Sequence, residues 1–234
     1  MKYRLMCFGS HLLVSLVIAI LSVGLVFWLW YPSPLDKALG VANIFLLLLS
    51  IDVIVGPLLT LIVAKQGKKT LKMDLLTIGV IQLMALSYGL YVVAQGRPVW
   101  LVYDVDRFEV VQAYEAVVVP KGSASQNEFH AGLTGPVWGA VIVPLPTTVA
   151  KGDTYYKAEF LQAYNSSIAA KAGAHARPFG VLKIFNDPAK VDAILAAYPE
   201  ADAYVPMAAK EKSLCVLVNK ARGEPIAIVD LSPW

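Results

Sequence analysis

Asp52 is the residue of this sequence best placed for chemistry other than folding. It lies in the middle of an apolar run, residues 41–64, that is long enough to cross a bilayer, and Gly56 and Pro57 follow within about one helical turn. A carboxylate at membrane depth costs roughly 2.5–3.5 kcal/mol on insertion scales, so it usually faces protein or water. A proline in such a helix also leaves one backbone carbonyl without its usual donor. The segment therefore predicts a polar site within the membrane.

Asp52 allows three interpretations. It is held by the protein's own spans, it contacts a partner helix that carries a polar or charged group, or it relays protons. A proton relay is not favoured, because three helices with one carboxylate offer no continuous polar path. The first two stay open. Candidate internal partners are Asn43, Ser50, Thr60, Gln82, Ser87 and Tyr88. For a partner helix, we expect a polar notch at a helix break, built from Asp52, Gly56, Pro57 and Thr60, and loss of a buried ionic partner commonly costs a few kcal/mol.

Outside this run, residues with chemical potential are sparse. Asp104 and Asp106 flank Val105, and two carboxylates at i and i+2 of a strand share a face, as a metal site needs, although a solvated strand end facing Arg107 is the commoner outcome. His130 and His175 have no neighbouring ligand cluster, and the Glu128-x-His130 pair is better explained as a surface accident. We expect no metal site here.

Motifs of common enzymes are absent from the sequence. It holds no Walker loop, no Gly-x-Gly-x-x-Gly and no Gly-x-Ser-x-Gly. The sequence therefore favours a binding role, without catalytic residues or cofactors.

Composition shows which elements must position Asp52. The 234 residues are 57% hydrophobic and only 16% charged, against roughly 25% charged in soluble domains. The apolar excess lies in the first hundred residues, and three runs predict membrane spans at about 12–30, 41–64 and 73–94. The first run ends in a bulky aromatic segment without an Ala-x-Ala site, which favours an uncleaved anchor over a signal peptide.

Lysines predict the orientation of these spans. Four of them (Lys65, Lys68, Lys69 and Lys72) lie in the loop between the second and third spans. The positive-inside rule places this loop and the N-terminus in the cytoplasm. Residues after Gly96 then lie outside, in the periplasm of a Gram-negative cell. In such a cell, the predicted location is the bacterial inner membrane, as the family resemblance given below also implies.

The sequence after the third span predicts a separate domain. We expect a three-helix transmembrane region over 1–97 and a periplasmic α+β domain over 98–234, with a mainly antiparallel sheet. Strands are predicted at 99–103, 108–111, 117–119 and 135–146, and helices at 154–172 and from Asp187 to about Tyr198. A terminal hairpin is predicted at 214–218 and 225–229.

An ordered set of motifs resembles the type IV pilin accessory proteins of the TfpX/TfpZ type. They are Leu29-Trp30-Tyr31-Pro32, Asp52-Val53-x-x-Gly56-Pro57-Leu58-Leu59-Thr60, Gly67-Lys68-Lys69-x-Leu71-x-x-Asp74-Leu75, Tyr88-Gly89-Leu90-Tyr91, Arg97-Pro98-Val99, Asp106-Arg107-Phe108-Glu109-Val110-Val111 and Pro233-Trp234. The resemblance is close over the first 111 residues, and no motif can be placed over 112–213.

The resemblance implies a non-enzymatic, chaperone-like factor whose partner is the major type IV pilin. Such a factor modulates pilin stability, assembly or surface display. In this case, Asp52 receives the charged N-terminal part of the pilin helix, and the exported domain selects the pilin. The alternatives are a membrane-anchored enzyme that modifies pilin, with metal at Asp104 and Asp106, or a small subunit of another membrane assembly or transport system.

Overall fold

The computed structural model describes residues 1–116, 132–141, 158 and 161–234 of the chain. These residues form two compact units. One consists of Met1–Leu29 and Val41–Gln95, and the other consists of Trp30–Gly40 and Gly96–Trp234. We call them the helical unit and the sheet unit.

Three long helices build the helical unit. They are α1 (Lys2–Gly24), which continues as a π-helical segment (Leu25–Trp30), α3 (Val41–Val63) and α4 (Leu71–Gln95). All three are long and apolar enough to cross a membrane. The three predicted spans are thus confirmed, although the first helix begins at Lys2 rather than near residue 12.

Helix α3 is the centre of the helical unit, because α1 and α4 both pack along it. Pro57 lies inside α3, and the helix continues through it to Val63. The expected helix break at Pro57 is therefore wrong. A proline removes only one backbone donor, and an apolar surrounding without competing water favours keeping the remaining helical hydrogen bonds.

Within the described residues, the sheet unit is built on one mixed sheet of eight strands. The strands are β1 (Pro98–Asp104), β2 (Arg107–Gln112), β3 (Val137–Val141), β4 (Leu161–Ala163), β5 (Arg177–Pro178), β6 (Ala203–Ala208), β7 (Leu214–Val218) and β8 (Pro225–Val229). Their order in the sheet is β4-β3-β1-β2-β6-β7-β8, with β5 paired to β6. The pairs β1–β3 and β2–β6 are parallel and the others are antiparallel. The α+β class is confirmed, with a sheet that is mixed rather than purely antiparallel.

Short helices complete this unit. They are α2 (Leu35–Ala38), α5 (Ser166–His175), α6 (Leu182–Phe185), preceded by a 3-10 turn (Phe179–Val181), and α7 (Pro188–Ala196). Asp187 caps α7 by accepting a hydrogen bond from the Ala189 amide at 2.9 Å, as its position before Pro188 predicts.

The predicted helix over 154–172 is confirmed for residues 166–172, which belong to α5, and is wrong for residues 161–163. Residues 161–163 pair with β3 as strand β4, and α5 starts only at Ser166. Asn165 fixes this start, because its side chain accepts hydrogen bonds from the amides of Ser167 and Ile168. Strands β1, β2, β7 and β8 confirm their predictions, whereas the predicted strand at 117–119 and part of that at 135–146 lie outside the described residues.

The segment Trp30–Gly40, which joins α1 to α3, is built into the sheet unit. Leu35 and Ala38 are buried in the core formed by the sheet. The Ala38 carbonyl accepts hydrogen bonds from the amides of Glu211 (3.1 Å) and Lys212 (3.2 Å). Lys37 and Lys212 both pair with Asp230, at 3.3 and 2.5 Å. This segment and the chain after Gln95 therefore fold together.

Candidate functional site

Asp52 is held from α4 by Gln82. The Nε2 group of Gln82 donates to the backbone carbonyl of Asp52 at 2.9 Å and to its carboxylate Oδ1 at 3.1 Å. Among the described residues, Gln82 is the one side chain that donates to this carboxylate. Of the candidate internal partners, Gln82 is thus the one that the structure selects.

The Asp52–Gln82 pair is only partly satisfied. The side-chain oxygen Oε1 of Gln82 is buried and has no hydrogen-bond partner among the described residues. A neutral amide oxygen that finds no donor in an apolar environment is costly. The pair thus presents two acceptors, the Asp52 carboxylate and Gln82 Oε1, and calls for an additional donor.

Gly56 is the residue that lets Gln82 approach α3. A Cβ atom at Gly56 would lie 2.0 Å from Gln82 Nε2 and 2.2 Å from Gln82 Oε1. Any larger residue at position 56 would therefore push the amide away from Asp52. Gly56, four residues after Asp52, therefore leaves the space that the Gln82 amide needs to reach Asp52.

Thr60 and Pro57 are buried within the helical unit. The Thr60 hydroxyl is 2.6 Å from Nδ1 of His11 on α1. Polar side chains therefore join α3 to α1 through His11 and to α4 through Gln82. His11 is the functional candidate that sequence reasoning missed. The signal in the sequence was a polar histidine directly before the first apolar run.

Two cavities flank the polar pair. One, of about 130 Å³, lies among α1, α3 and α4 and is lined by His11, Ser15, Asp52 and Gln82 together with apolar residues. The other, of about 190 Å³, lies between α3 and α4 and is lined by Asp52, Gln82 and apolar side chains. Leu83 in the first cavity and Ile81 in the second are more than half exposed, so both cavities open to the outer surface of the helices.

The structure does not assemble a metal site from the two aspartates of the sheet unit. Asp106 pairs with Arg107 at 2.9 Å and with Arg177 at 3.6 Å. Within the described ranges there is no group of three His, Cys, Asp or Glu side chains that could hold a metal ion. Glu128 and His130 lie outside the described residues.

Asp104 instead borders a cavity of about 210 Å³ together with Tyr103, Lys171 and His175. The Tyr103 hydroxyl donates to the Val105 carbonyl at 2.8 Å and lies 3.1 Å from Nδ1 of His175. Burial, with Asp106 and Asp104 adding to it, raises the pKa of Tyr103 to about 12. Burial and then Glu109 raise the pKa of Asp104. The tyrosine is therefore protonated at neutral pH and acts as a donor that fixes the β1–β2 turn.

These features define the class of this protein, which is a membrane protein with a separate folded domain. It has three apolar helices of membrane length, a polar cluster inside them, and an α+β domain.

Comparison with known proteins gives the family. The profile of the fimbrial assembly protein FimB matches residues 1–40. The chain is similar to the fimbrial assembly protein of serogroups C1 and C2 of Dichelobacter nodosus, with 40% identity over 105 residues, which are 44% of this chain and 80% of that protein. It is 42% identical over 105 residues to the serogroup I protein, covering 44% of this chain and 41% of that relative. No solved structure matches.

The chain therefore belongs to the family of fimbrial assembly proteins. The resemblance to pilus accessory proteins is confirmed. The chain spans about two fifths of the length of the serogroup I relative.

Proposed function

We propose that this protein is a non-enzymatic accessory factor that binds the major type IV pilin in the inner membrane. In this role it modulates the stability, assembly or surface display of pilin. The fimbrial assembly names of its relatives support the pathway, and three helices of membrane length support the location.

The proposed orientation has the N-terminus and the α3–α4 loop in the cytoplasm and the sheet unit in the periplasm. The lysines of the α3–α4 loop favour it by the positive-inside rule. The fold adds support, because the α1–α3 connection Trp30–Gly40 belongs to the same compact unit as Gly96–Trp234. Both segments must then lie on one side of the membrane.

The observation that carries the proposal is the half-satisfied Asp52–Gln82 pair. Asp52 and Gln82 both line cavities that open to the outer surface of the helices, and Gln82 Oε1 lacks a donor within the described residues. Lipid tails offer no donor, so a partner helix that brings an ammonium or another donor to this depth is stabilised. The charged N-terminal part of the pilin helix has that chemistry.

The four residues expected at the partner site take different parts in this proposal. Asp52 would contact the partner directly, because it lines both cavities. Gly56 would act through Gln82. Pro57 and Thr60, which are buried, would support the shape of α3.

A second contact, from the sheet unit to the globular head of pilin, would make the binding bivalent. Linking two contacts raises the effective concentration of the second, so each one is allowed to be weak. The sheet unit would then select among pilins.

Photo-crosslinking from within the helical unit tests the membrane contact. A photoreactive residue at Leu83, which lines the α1-side cavity, should capture pilin. The same residue at Leu21, which is exposed on α1 and lines neither cavity, is the matched control. Asp52→Ala should reduce capture strongly, and Asp52→Asn should reduce it less, because the amide keeps the shape and one acceptor.

Two outcomes would contradict the proposal. One is equal capture from Leu83 and Leu21, and the other is unchanged capture and unchanged piliation in Asp52→Ala. Pilin choice is tested separately by exchanging residues 30–40 and 96–234 together with those of a relative, because both segments form the sheet unit. The preference for one pilin should move with the exchanged segments, and an unmoved preference would exclude selection by this unit.

A further inference from the structure

A basic cleft lies at the end of the helical unit where α1 begins and α3 has ended. It has a volume of about 570 Å³ and is lined by residues 1–4, Lys65 and Gln66. Lys2 and Arg4 come from the first turn of α1, and Lys65 comes from the loop after α3. Two segments that are distant in the sequence thus place three cations around one space.

The cations of this cleft have no acidic partner among the described residues. Within the part of the chain that the structure describes, no salt bridge involves Lys2, Arg4 or Lys65. Asp74, the nearest acidic residue in the following sequence, pairs with Lys68 at 2.6 Å and accepts a hydrogen bond from Thr70 at 3.1 Å. Of the described residues that line the cleft, none carries a carboxylate side chain.

We propose that this cleft binds the phosphate group of an anionic phospholipid of the surrounding bilayer. The cleft lies at the ends of apolar helices of membrane length, which is the depth of lipid headgroups. A phosphodiester fits three converging cations, since the Arg4 guanidinium offers paired donors and the lysines offer compact charges. Tyr3 and Gln66 add hydrogen-bonding groups to the lining. The proposal does not depend on the binding of pilin.

The test uses the full chain in nanodiscs that contain phosphatidylcholine and phosphatidylglycerol. Native mass spectrometry measures which lipids stay bound after release. The wild type should retain phosphatidylglycerol selectively. The double variant Arg4→Gln with Lys65→Gln should lose on the order of tenfold in this selectivity, since each cation near an anionic lipid surface contributes measurably to attraction.

The matched control removes two cations that lie outside the cleft, Lys69→Gln with Lys72→Gln, and it should keep the selectivity. A charge-preserving variant, Arg4→Lys with Lys65→Arg, should also bind lipid, and it guards against loss of binding through altered insertion. Equal losses in both neutralised variants would overturn the proposal, because they would indicate a diffuse field rather than a site.

A second arm distinguishes lipid from soluble phosphate. Inorganic phosphate is added to the protein in nanodiscs with phosphatidylglycerol, and it should not displace the bound lipid. If inorganic phosphate displaces it and also binds in nanodiscs of phosphatidylcholine alone, the cleft is a site for a soluble anion, and the lipid proposal is wrong.

Discussion

The helical unit and the sheet unit bury their side chains to very different degrees. In α3, the central helix, only 22% of the residues in the apolar, membrane-length stretch are buried within the protein. In β7 every residue is buried. Lipid tails are as apolar as leucine, so helices in a membrane gain little from burying apolar surface against one another. A sheet in water gains most of its stability in that way.

This difference assigns different tasks to polar and apolar residues. In the helical unit, the side-chain hydrogen bonds between helices are few and connect α3 to its neighbours through Gln82 and His11. In the sheet unit, the core consists of packed aromatic and aliphatic side chains. Stability should therefore depend on apolar volume in one unit and on close approach and polar contacts in the other.

The largest effect is expected from Phe108→Ala in the sheet unit. Phe108 is 0% exposed and its ring packs against the rings of Tyr103, Trp138 and Tyr164. The variant should lose about 3–5 kcal/mol of unfolding free energy, measured by denaturant titration of the full chain in micelles. Phe185→Ala, at a site 48% exposed, is the control and should change little. Equal losses would mean that burial does not govern this unit.

Gly56→Ala should have the next largest effect. The added methyl group would lie 2.0 Å from Gln82 Nε2, so α4 must move or Gln82 must leave Asp52. Overpacking of this kind costs about 1–3 kcal/mol, measurable by unfolding the helical unit with SDS in mixed micelles. Gly24→Ala is the matched control, because nothing lies within 4 Å of a Cβ there. If the two variants unfold alike, close packing at Gly56 does not hold α4 to α3.

A smaller effect is expected for the polar pair itself. A double-mutant cycle of Asp52→Ala and Gln82→Ala should give a coupling energy of about 0.6–1.7 kcal/mol, the range for hydrogen bonds between membrane helices. The control cycle pairs Asp52→Ala with Thr70→Ala, since Thr70 bonds to Asp74. Its coupling should lie within about 0.5 kcal/mol of zero. If the coupling energy in the Asp52–Gln82 cycle is no larger than in the control cycle, the hydrogen bond between these residues does not hold α3 to α4.

The smallest effect is expected in how the stability of the sheet unit changes with pH. Burial alone would raise the pKa of Asp230, but hydrogen bonds from Lys212 and Lys37 outweigh it and lower the pKa. The stability from this carboxylate is therefore present above the ordinary carboxyl pKa of about 4 and is lost as the pH falls through the lowered value.

Asp230→Asn should accordingly be less stable than the wild type at neutral pH, and the difference should shrink below about pH 4. Unfolding titrations at several pH values measure it. Asp192→Asn, which removes an exposed ion pair with Lys183, should leave the slope of stability against pH unchanged. A constant difference for Asp230→Asn at all pH values would show that its charge is not involved.

The sequence predicted most where one physical signal dominates. Apolar length alone located the three membrane helices, and Asp187 before Pro188 located the start of α7. The partner of Asp52 was one of six polar residues, because one-dimensional spacing does not tell which faces of α3 and α4 meet. His11 was missed for the same reason.

In the sheet unit, helix 154–172 was predicted from composition, which did not reveal that Asn165 begins α5 and that β3 recruits Leu161–Ala163 as a strand. Strand β6 was missed because Pro206 lies within it. In both cases, whether the segment forms a strand depends on pairing with a strand that is distant in the sequence. Local propensity does not predict such pairing.

The short segment between α1 and α3 also sets an order of events during synthesis. Ala38 leaves the ribosome long before Glu211, Lys212 and Asp230, which hold that segment in the finished fold. Leu35 and Ala38 must therefore wait, without the rest of their core, until the chain has been synthesised as far as Asp230. A fragment that starts after Gly96 would lack both side chains and leave a gap in the core, so the sheet unit should be expressed with residues 30–40 supplied.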